Sequence, residues 1–147
     1  MNRFAQSDIF HFVVRHLRCL ARIPFAPQIF DAFLLSWTAI FHRETLRAIE
    51  TLEAAALSLP RISISTHRFG GIGFAREGHE FAHIHGNGLF DVKLTRQRAS
   101  ELVAAGRAKP HHVFGPSAWI SFQLRTEADC APALALMEEI DSSVRSA

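Results

Sequence analysis

Hydrophobic and polar positions follow two different periods along this chain, and the change falls at Pro60. Before Pro60, apolar residues recur every three or four positions. From Ile62 onward they alternate with polar residues. A period near 3.6 is typical of helices and a period of two is typical of strands. The pattern therefore predicts an apolar helical arm over residues 1–59 and a compact domain over residues 60–147.

The helical arm opens with a segment that has one narrow basic stripe. Residues 3–22 have apolar side chains on most of the helix circumference, and the stripe consists of His11, Arg15, Arg18 and Arg22. A wide apolar arc beside basic residues is typical of a helix that lies in a membrane interface. It is equally typical of a helix that packs on its own domain or on a second copy of the chain. We expect contact with a membrane surface or a homo-oligomer through residues 1–41.

Two further helices are predicted before Pro60. Residues 29–41 are apolar nearly all the way round, but the segment is shorter than a bilayer span and contains Asp31. We expect it to be buried or interfacial. Residues 43–59 have an apolar stripe along one side and predict an ordinary amphipathic helix.

The compact domain is predicted to be α+β, with an antiparallel meander sheet and helices packed on one face. Tight glycine turns separate strands over residues 62–67, 79–85 and 89–94, with a glycine-rich strand between the first two. Thr95 is a candidate N-cap of a helix that Gly106 ends. A loop follows, then a strand over 118–124. The last helix begins at a capping box of Thr126 and Asp129.

Composition excludes several functional classes. The chain has 147 residues, of which 48% are hydrophobic and 20% are charged, so it can fold around a core and is not a disordered chain. A net charge of +2 does not indicate a nucleic-acid ligand. The two cysteines, Cys19 and Cys130, form no disulfide framework, so a reducing, cytoplasmic compartment is expected. We expect no organic cofactor.

Four aromatic residues of the segment HEFAHIH are predicted to share one face of a strand, because side chains alternate along it: His79, Phe81, His83 and His85. Two imidazoles two residues apart are a common source of metal ligands or of a proton-handling pair. A second pair, His111 and His112, lies on the loop before the Trp119 strand and can complete the group. The alternative is a set of surface or hydrogen-bonded histidines without chemistry.

The register of the turn at Gly86 to Gly88 decides whether Asp91 can reach these histidines. A two-residue loop places His83 opposite Val92, and a three-residue loop places it opposite Asp91. The longer loop is favoured because it gives one coherent apolar face. Asp91 then orients His83 and raises its pKa, or completes a metal site of His83, His85 and Asp91. The alternative is an exposed pair worth about 0–1 kcal/mol.

Three segments in order, EFAHIHGNGLFDVKL, ELVAAGRAKPHH and AWISFQLRTEAD, resemble the luciferase domain of fungi and its bacterial relatives of unknown function. The resemblance covers about residues 79–140, under half of the chain. It places His83 and His85 at the His-x-His positions of the family, His111 after the helix and Trp119 on the following strand. The segment HRFGGIGF is similar to the bacterial relatives alone, and Asp91 stands where the luciferase has a histidine.

The resemblance implies a pocket for a small oxidisable compound, such as a hydroxylated pyrone attacked by dioxygen. The chain is then a candidate oxidoreductase, although a shared domain does not establish shared chemistry. The expected catalytic residues are His83, His85, His111 and Asp91. The expected substrate-binding residues are His79, Phe81, Trp119, His112 and Arg125. The alternative is a non-catalytic ligand-binding module that contacts a membrane or forms oligomers.

Overall fold

The computed structural model describes Phe12 and residues 23–111, 113 and 115–145, without the side chains of 141–145. The elements in chain order are α1 (Ala26–Phe41), α2 (Arg43–Ser58), β1 (Ile62–Thr66), β2 (Ile72–Arg76), β3 (His79–Ile84), β4 (Leu89–Lys93), α3 (Arg96–Ala104), β5 (Lys109–His111), β6 (Gly115–Gln123) and α4 (Cys130–Arg145). A short 3-10 helix, Glu127–Asp129, leads into α4. The basic stripe predicted for residues 3–22 lies outside the described residues.

The strands form one six-stranded sheet in the order β1-β2-β3-β4-β6-β5, and every neighbouring pair is antiparallel. The predicted α+β class is therefore confirmed. The prediction of a loop over residues 109–111 is wrong, because this segment pairs with β6 as an edge strand. Pro110 is tolerated there because an edge strand does not need every backbone N–H in the ladder. β6 also begins earlier than predicted, at Gly115.

One face of the sheet is covered by α2, α3 and α4 and forms the core. Strand residues of alternating position, among them Phe74, Ala82, Phe90 and Ile120, are at most 1% exposed in this core. The helices contribute Ile49 and Leu52 from α2, Ala99 and Leu102 from α3, and Ala133 and Met137 from α4. The opposite face of the central strands carries the polar and histidine residues of the same segments.

Local sequence signals place the helix ends as predicted. The Thr95 hydroxyl accepts a hydrogen bond from the Arg98 backbone N–H, and Gly106 is left-handed with φ of 68°. The Thr126 and Asp129 side chains form the predicted capping box. These ends depend on neighbours within a few residues, which is why a sequence pattern predicts them.

α1 presents an apolar outer face to solvent. Ile29, Phe33 and Ile40 are 68%, 54% and 66% exposed. Of the two expectations for residues 29–41, burial or contact with an interface, burial does not hold for this face. The inner side of α1 buries Asp31, Leu34 and Thr38. Within the part of the chain that the structure describes, every helix falls short of the length and apolar character that a membrane span requires.

Candidate functional site

The pairing of β3 with β4 brings the first two polar residues of the site together. His83 lies opposite Asp91 in the register, and the His83 Nε2 and Asp91 Oδ2 atoms are 3.1 Å apart. The three-residue turn is confirmed, because the His85 backbone N–H donates to the Leu89 carbonyl and Gly88 is left-handed. Asp91 is fully buried and His83 is 6% exposed. The pair is therefore an interior one, and the alternative of an exposed pair is wrong.

Three imidazoles converge on one oxygen of Asp91. Besides His83, the Nε2 atoms of His85 and His111 lie 3.9 Å and 3.6 Å from Asp91 Oδ2. The other Asp91 oxygen, Oδ1, accepts a short hydrogen bond from the hydroxyl of Ser121, the residue opposite it on β6. This bond turns Oδ2 toward the histidines. We call these residues (His83, His85, His111, Asp91 and Ser121) the histidine–aspartate cluster.

An irregularity in β3 brings Glu80 next to the histidine–aspartate cluster. Ala82 pairs with Phe74 and Glu80 pairs with Ala75, so Phe81 has no partner on β2 and forms a β-bulge. A bulge reverses the alternation of faces along the strand. Glu80 therefore shares a face with His83, and its carboxylate lies 3.1 Å from His83 Nδ1.

The bulge corrects two predictions about the faces of β3. Strict alternation placed His79 and Phe81 on the histidine face. Phe81 instead packs in the hydrophobic core, 7% exposed, with the Arg76 guanidinium 5.7 Å from its ring centre. His79 is exposed, and its Nδ1 lies 3.1 Å from the Glu77 carbonyl.

α1 contributes Asp31 to the site from a distant part of the chain. Asp31 Oδ1 lies 3.1 Å from His85 Nδ1 and accepts a hydrogen bond of 3.0 Å from the Gly86 backbone N–H. The helix reaches so close because Gly86 has no side chain. A Cβ atom there would lie 2.5 Å from the Leu35 backbone nitrogen.

His67 stacks on His83 at the edge of the cluster. Their ring centres are 3.8 Å apart and their planes are inclined by 10°. His67 Nδ1 lies 2.7 Å from the Glu80 carboxylate, which also contacts His83. A turn with left-handed Gly70 and Gly71 holds His67 in place, because its N–H donates to the Gly71 carbonyl.

The buried charges shift the titration of these histidines in opposite directions. Burial lowers the pKa of His83, but the hydrogen bonds and charges of Asp91 and Glu80 outweigh it and raise the pKa to about 9. Burial and the nearby His83 lower the pKa of His67, against the effect of Glu80. Burial also raises the pKa of Glu80, yet the two histidines bring that pKa below its usual value.

Hydrogen bonds determine which ring nitrogen of each histidine carries the proton. His83 and His85 each direct Nδ1 at a carboxylate, so Nδ1 is a donor in both rings. Because its pKa is about 9, His83 is protonated on both nitrogens at neutral pH, and its Nε2 also donates to Asp91. His111 is the reverse, because its Nδ1 accepts a hydrogen bond from the Val113 backbone N–H. In neutral His111, Nε2 therefore carries the proton and is a donor toward Asp91.

Trp119 lies against the cluster. Its ring centre lies 5.4 Å from that of His83 and 5.9 Å from that of His111. Trp119 is also one of the residues that line a cleft between α3 and β6, together with Arg96, Ser100, Ser117 and others. In the part of the chain that the structure describes, no histidine or carboxylate of the cluster lines this cleft, so Trp119 is the residue that the two share.

The remaining predicted site residues lie elsewhere. Arg125 is exposed beyond the end of β6, where its backbone N–H donates to Asp129 and its carbonyl accepts from Thr45. It is exposed and its contacts are with Thr45 and Asp129, so it is not part of the cluster. His112 lies outside the described residues.

Sequence reasoning missed Asp31, His67, Glu80 and Ser121. A lone carboxylate inside the apolar segment 29–41 was a signal for Asp31, since a buried charge needs a partner. Strict alternation along β3 places Glu80 on the face opposite His83, because no residue pattern in the sequence predicts the bulge. Ser121 comes from β6 and His67 from the turn after β1, and the sheet order sets how these segments meet the cluster.

Comparison with known families confirms the resemblance noted from the sequence. Residues 78–139 match the family model described as luciferase domain. No curated protein and no solved structure matches the chain. The matched segment includes the histidine–aspartate cluster with Glu80 and Trp119. Asp31 and His67 lie before it, so this chain completes the site with residues from outside the family segment.

Proposed function

We propose that this chain is an oxygen-dependent oxidoreductase that binds a small enolisable or pyrone-like aromatic compound. One observation carries the proposal. Three Nε2 atoms, from His83, His85 and His111, lie within 3.9 Å of a single buried carboxylate oxygen. These residues belong to the segment that matches the luciferase domain family. Such a group can both accept a proton and stabilise an anion.

The proposed reaction needs a proton acceptor and donors to an oxyanion. The substrate loses a proton from carbon, the resulting carbanion forms a bond to one oxygen of O₂, and the peroxide anion takes up a proton. The net change is addition of O₂ across a C–H bond to give a hydroperoxide. His67 suits the acceptor role because its lowered pKa keeps the ring neutral at neutral pH. His111 suits the donor role because its Nε2 carries a proton.

The cleft at Trp119 is the proposed entry for the substrate. Its wall combines an aromatic ring, the aliphatic residues Val103 and Ile120, and the polar side chains of Arg96 and Ser117. Ligand sites are typically apolar with a few polar groups that orient the molecule. An anionic oxygen of the substrate would face Arg96 while its ring lies against Trp119.

Oxygen consumption tests this proposal. The full chain is supplied with hydroxypyrones and catechol-bearing ketones in an oxygen electrode, with product analysis by mass spectrometry. We expect uptake with at least one enolisable compound and a loss of at least 100-fold in His67→Ala, a typical size for a lost acid–base group. A comparable loss is expected in His83→Ala, which removes the ring that stacks on His67. His79→Ala is the matched control, because this exposed histidine of the same strand should keep full activity. Equal turnover by wild type and His83→Ala would refute the role of the cluster.

The outer face of α1 supports a second candidate function, binding to an anionic membrane surface. Phe25, Ile29, Phe33, Ile40 and Phe41 are each more than half exposed. A contiguous exposed apolar patch marks an interaction surface. The preceding segment carries three arginines within eight residues, at positions 15, 18 and 22, which complement acidic lipid headgroups.

Liposome flotation separates this function from the alternatives. We expect the full chain to float with vesicles that contain phosphatidylserine and to stay unbound with neutral vesicles. Ile29→Glu with Phe33→Glu should abolish flotation and leave the far-ultraviolet circular dichroism spectrum unchanged. If the chain binds neither kind of vesicle and sediments as a dimer, the outer face of α1 contacts a second copy of the chain instead of a membrane.

A further inference from the structure

The donor atoms of His83, His85 and Asp91 form a group of the size that a metal ion requires. One ligating atom from each of the three lies within 4.8 Å of the others. All three side chains are buried, with Asp91 fully so. Two imidazoles and one carboxylate form a donor set that divalent iron, manganese or zinc accepts, and it leaves coordination positions open for other molecules.

The outer contacts of the two histidines match those of metal ligands. His83 Nδ1 lies 3.1 Å from Glu80, and His85 Nδ1 lies 3.1 Å from Asp31. A ligating histidine almost always donates its second N–H to a carboxylate, a carbonyl or water, which orients the ring and makes the other nitrogen more basic. Both rings therefore direct Nε2, the ligating nitrogen, toward the same carboxylate oxygen.

Asp91 is held in a matching way. The Ser121 hydroxyl donates to Oδ1, and this fixes the carboxylate so that Oδ2 faces the imidazoles. Charge also favours a cation here. Three carboxylates, those of Asp91, Glu80 and Asp31, contact His83 and His85, and their negative charge would stabilise a divalent ion at this position.

His111 is excluded from the ligand set although its Nε2 lies only 3.6 Å from Asp91. Its Nδ1 accepts a hydrogen bond from the Val113 N–H, so ligation through Nε2, which requires the ring proton to be on Nδ1, would break that bond. His67 belongs to a second group of the same size, with Glu80 and His83, in which Glu80 contacts the Nδ1 atoms of both rings rather than the Nε2 atoms that face Asp91. The proposed ligands are therefore His83 and His85, whereas His111 and His67 are the nearby proton donor and proton acceptor.

We propose that His83, His85 and Asp91 bind one divalent transition-metal ion, with Glu80 and Asp31 as positioning residues for the two histidines. The inference concerns the same site as the proposed function, but it rests on the donor geometry. The ion would lie on the face of the sheet where the Trp119 ring approaches His83.

Titration with Co²⁺ alone tests the site. The full chain is purified without a histidine tag, dialysed against a chelator, and titrated in a calorimeter and a visible spectrometer. We expect one Co²⁺ per chain and a d–d absorption band, displaced by an equivalent of Zn²⁺. His83→Ala, His85→Ala and Asp91→Asn should each lose the band.

Three further variants make the ligand assignment falsifiable. His79→Ala, the exposed control, and His111→Gln should both retain one Co²⁺ per chain. Asp31→Asn keeps all three ligands but removes the carboxylate at His85, so binding should weaken 10- to 100-fold without loss of stoichiometry. Circular dichroism checks the folding of each variant. Absence of stoichiometric binding in wild type, or loss of the site in His111→Gln, would overturn the proposal.

Oxygen-uptake and metal assays separate this inference from the proposed function. One Co²⁺ bound at this site in a chain that consumes no oxygen with any enolisable substrate supports the metal site and refutes the proposed reaction. Oxygen uptake by a chelated chain that binds no Co²⁺ supports the reaction and refutes the metal site.

Discussion

Replacing Gly86 by alanine should detach α1 from the site without a direct change to any histidine. The backbone of Gly86 is not left-handed, so alanine adds no conformational strain there. Its Cβ would lie 2.5 Å from the Leu35 nitrogen and 2.7 Å from the Asp31 carbonyl oxygen. Ordinary contact begins near 3.5 Å, so the helix must withdraw by about 1 Å.

The cost follows from the two bonds that this movement breaks. Asp31 Oδ1 bonds the Gly86 N–H at 3.0 Å and lies 3.1 Å from His85 Nδ1, and a 1 Å withdrawal lengthens both contacts past hydrogen-bonding distance. Hydrogen bonds to a charged group contribute about 1.5–3 kcal/mol each. Alanine also restricts the unfolded chain, which offsets about 0.4–1 kcal/mol. The net loss in free energy of unfolding should be about 2–5.5 kcal/mol.

Urea denaturation of a double-mutant cycle measures this coupling. Asp31→Ala breaks the same two bonds, so Gly86→Ala should cost far less in the Asp31→Ala background than in wild type, with a coupling of about 2 kcal/mol. Gly106→Ala is the control for backbone strain alone, because this left-handed glycine has open space around it. Its cost should be about 1–2 kcal/mol and additive with Asp31→Ala. Additive costs for Gly86→Ala would refute the close approach of α1.

Three further predictions concern the rest of the chain. Burial raises the pKa of Asp129, but backbone hydrogen bonds at the cap hold it below the usual value. Asp129→Ala should therefore cost about 1 kcal/mol at pH 7, and the difference should vanish in urea melts as the pH falls below 4, through the folded-state pKa. Burial and nearby carboxylates raise the pKa of the Cys130 thiol, so in a Cys19→Ser background it should react with Ellman's reagent only in urea; fast native reaction would contradict this. Phe74→Ala should cost about 3–5 kcal/mol and the half-exposed Phe69→Ala under about 1 kcal/mol, and equal costs would contradict the core assignment.

The turn and strand patterns were sufficient to predict the pairing of His83 with Asp91. A glycine-rich turn restricts the loop to two registers, and only one of them places Phe90 and Val92 on the same face as Ala82 and Ile84. The structure has that register. Helix ends at Thr95, Gly106 and Thr126 were predictable for the same reason, since each depends on contacts within a few residues.

Only the tertiary structure decided which residues surround that pair. The bulge at Phe81 arises from the packing of β3 on β2, and it exchanges Phe81 for Glu80 on the site face. The insertion of β6 between β4 and β5 brings Ser121 and His111 to Asp91. Asp31 arrives from a helix 54 residues before His85, through the close approach that Gly86 permits. Periodicity along the chain describes which face a residue takes within its own element, whereas contacts between elements depend on sheet order and helix docking, which local pattern does not encode.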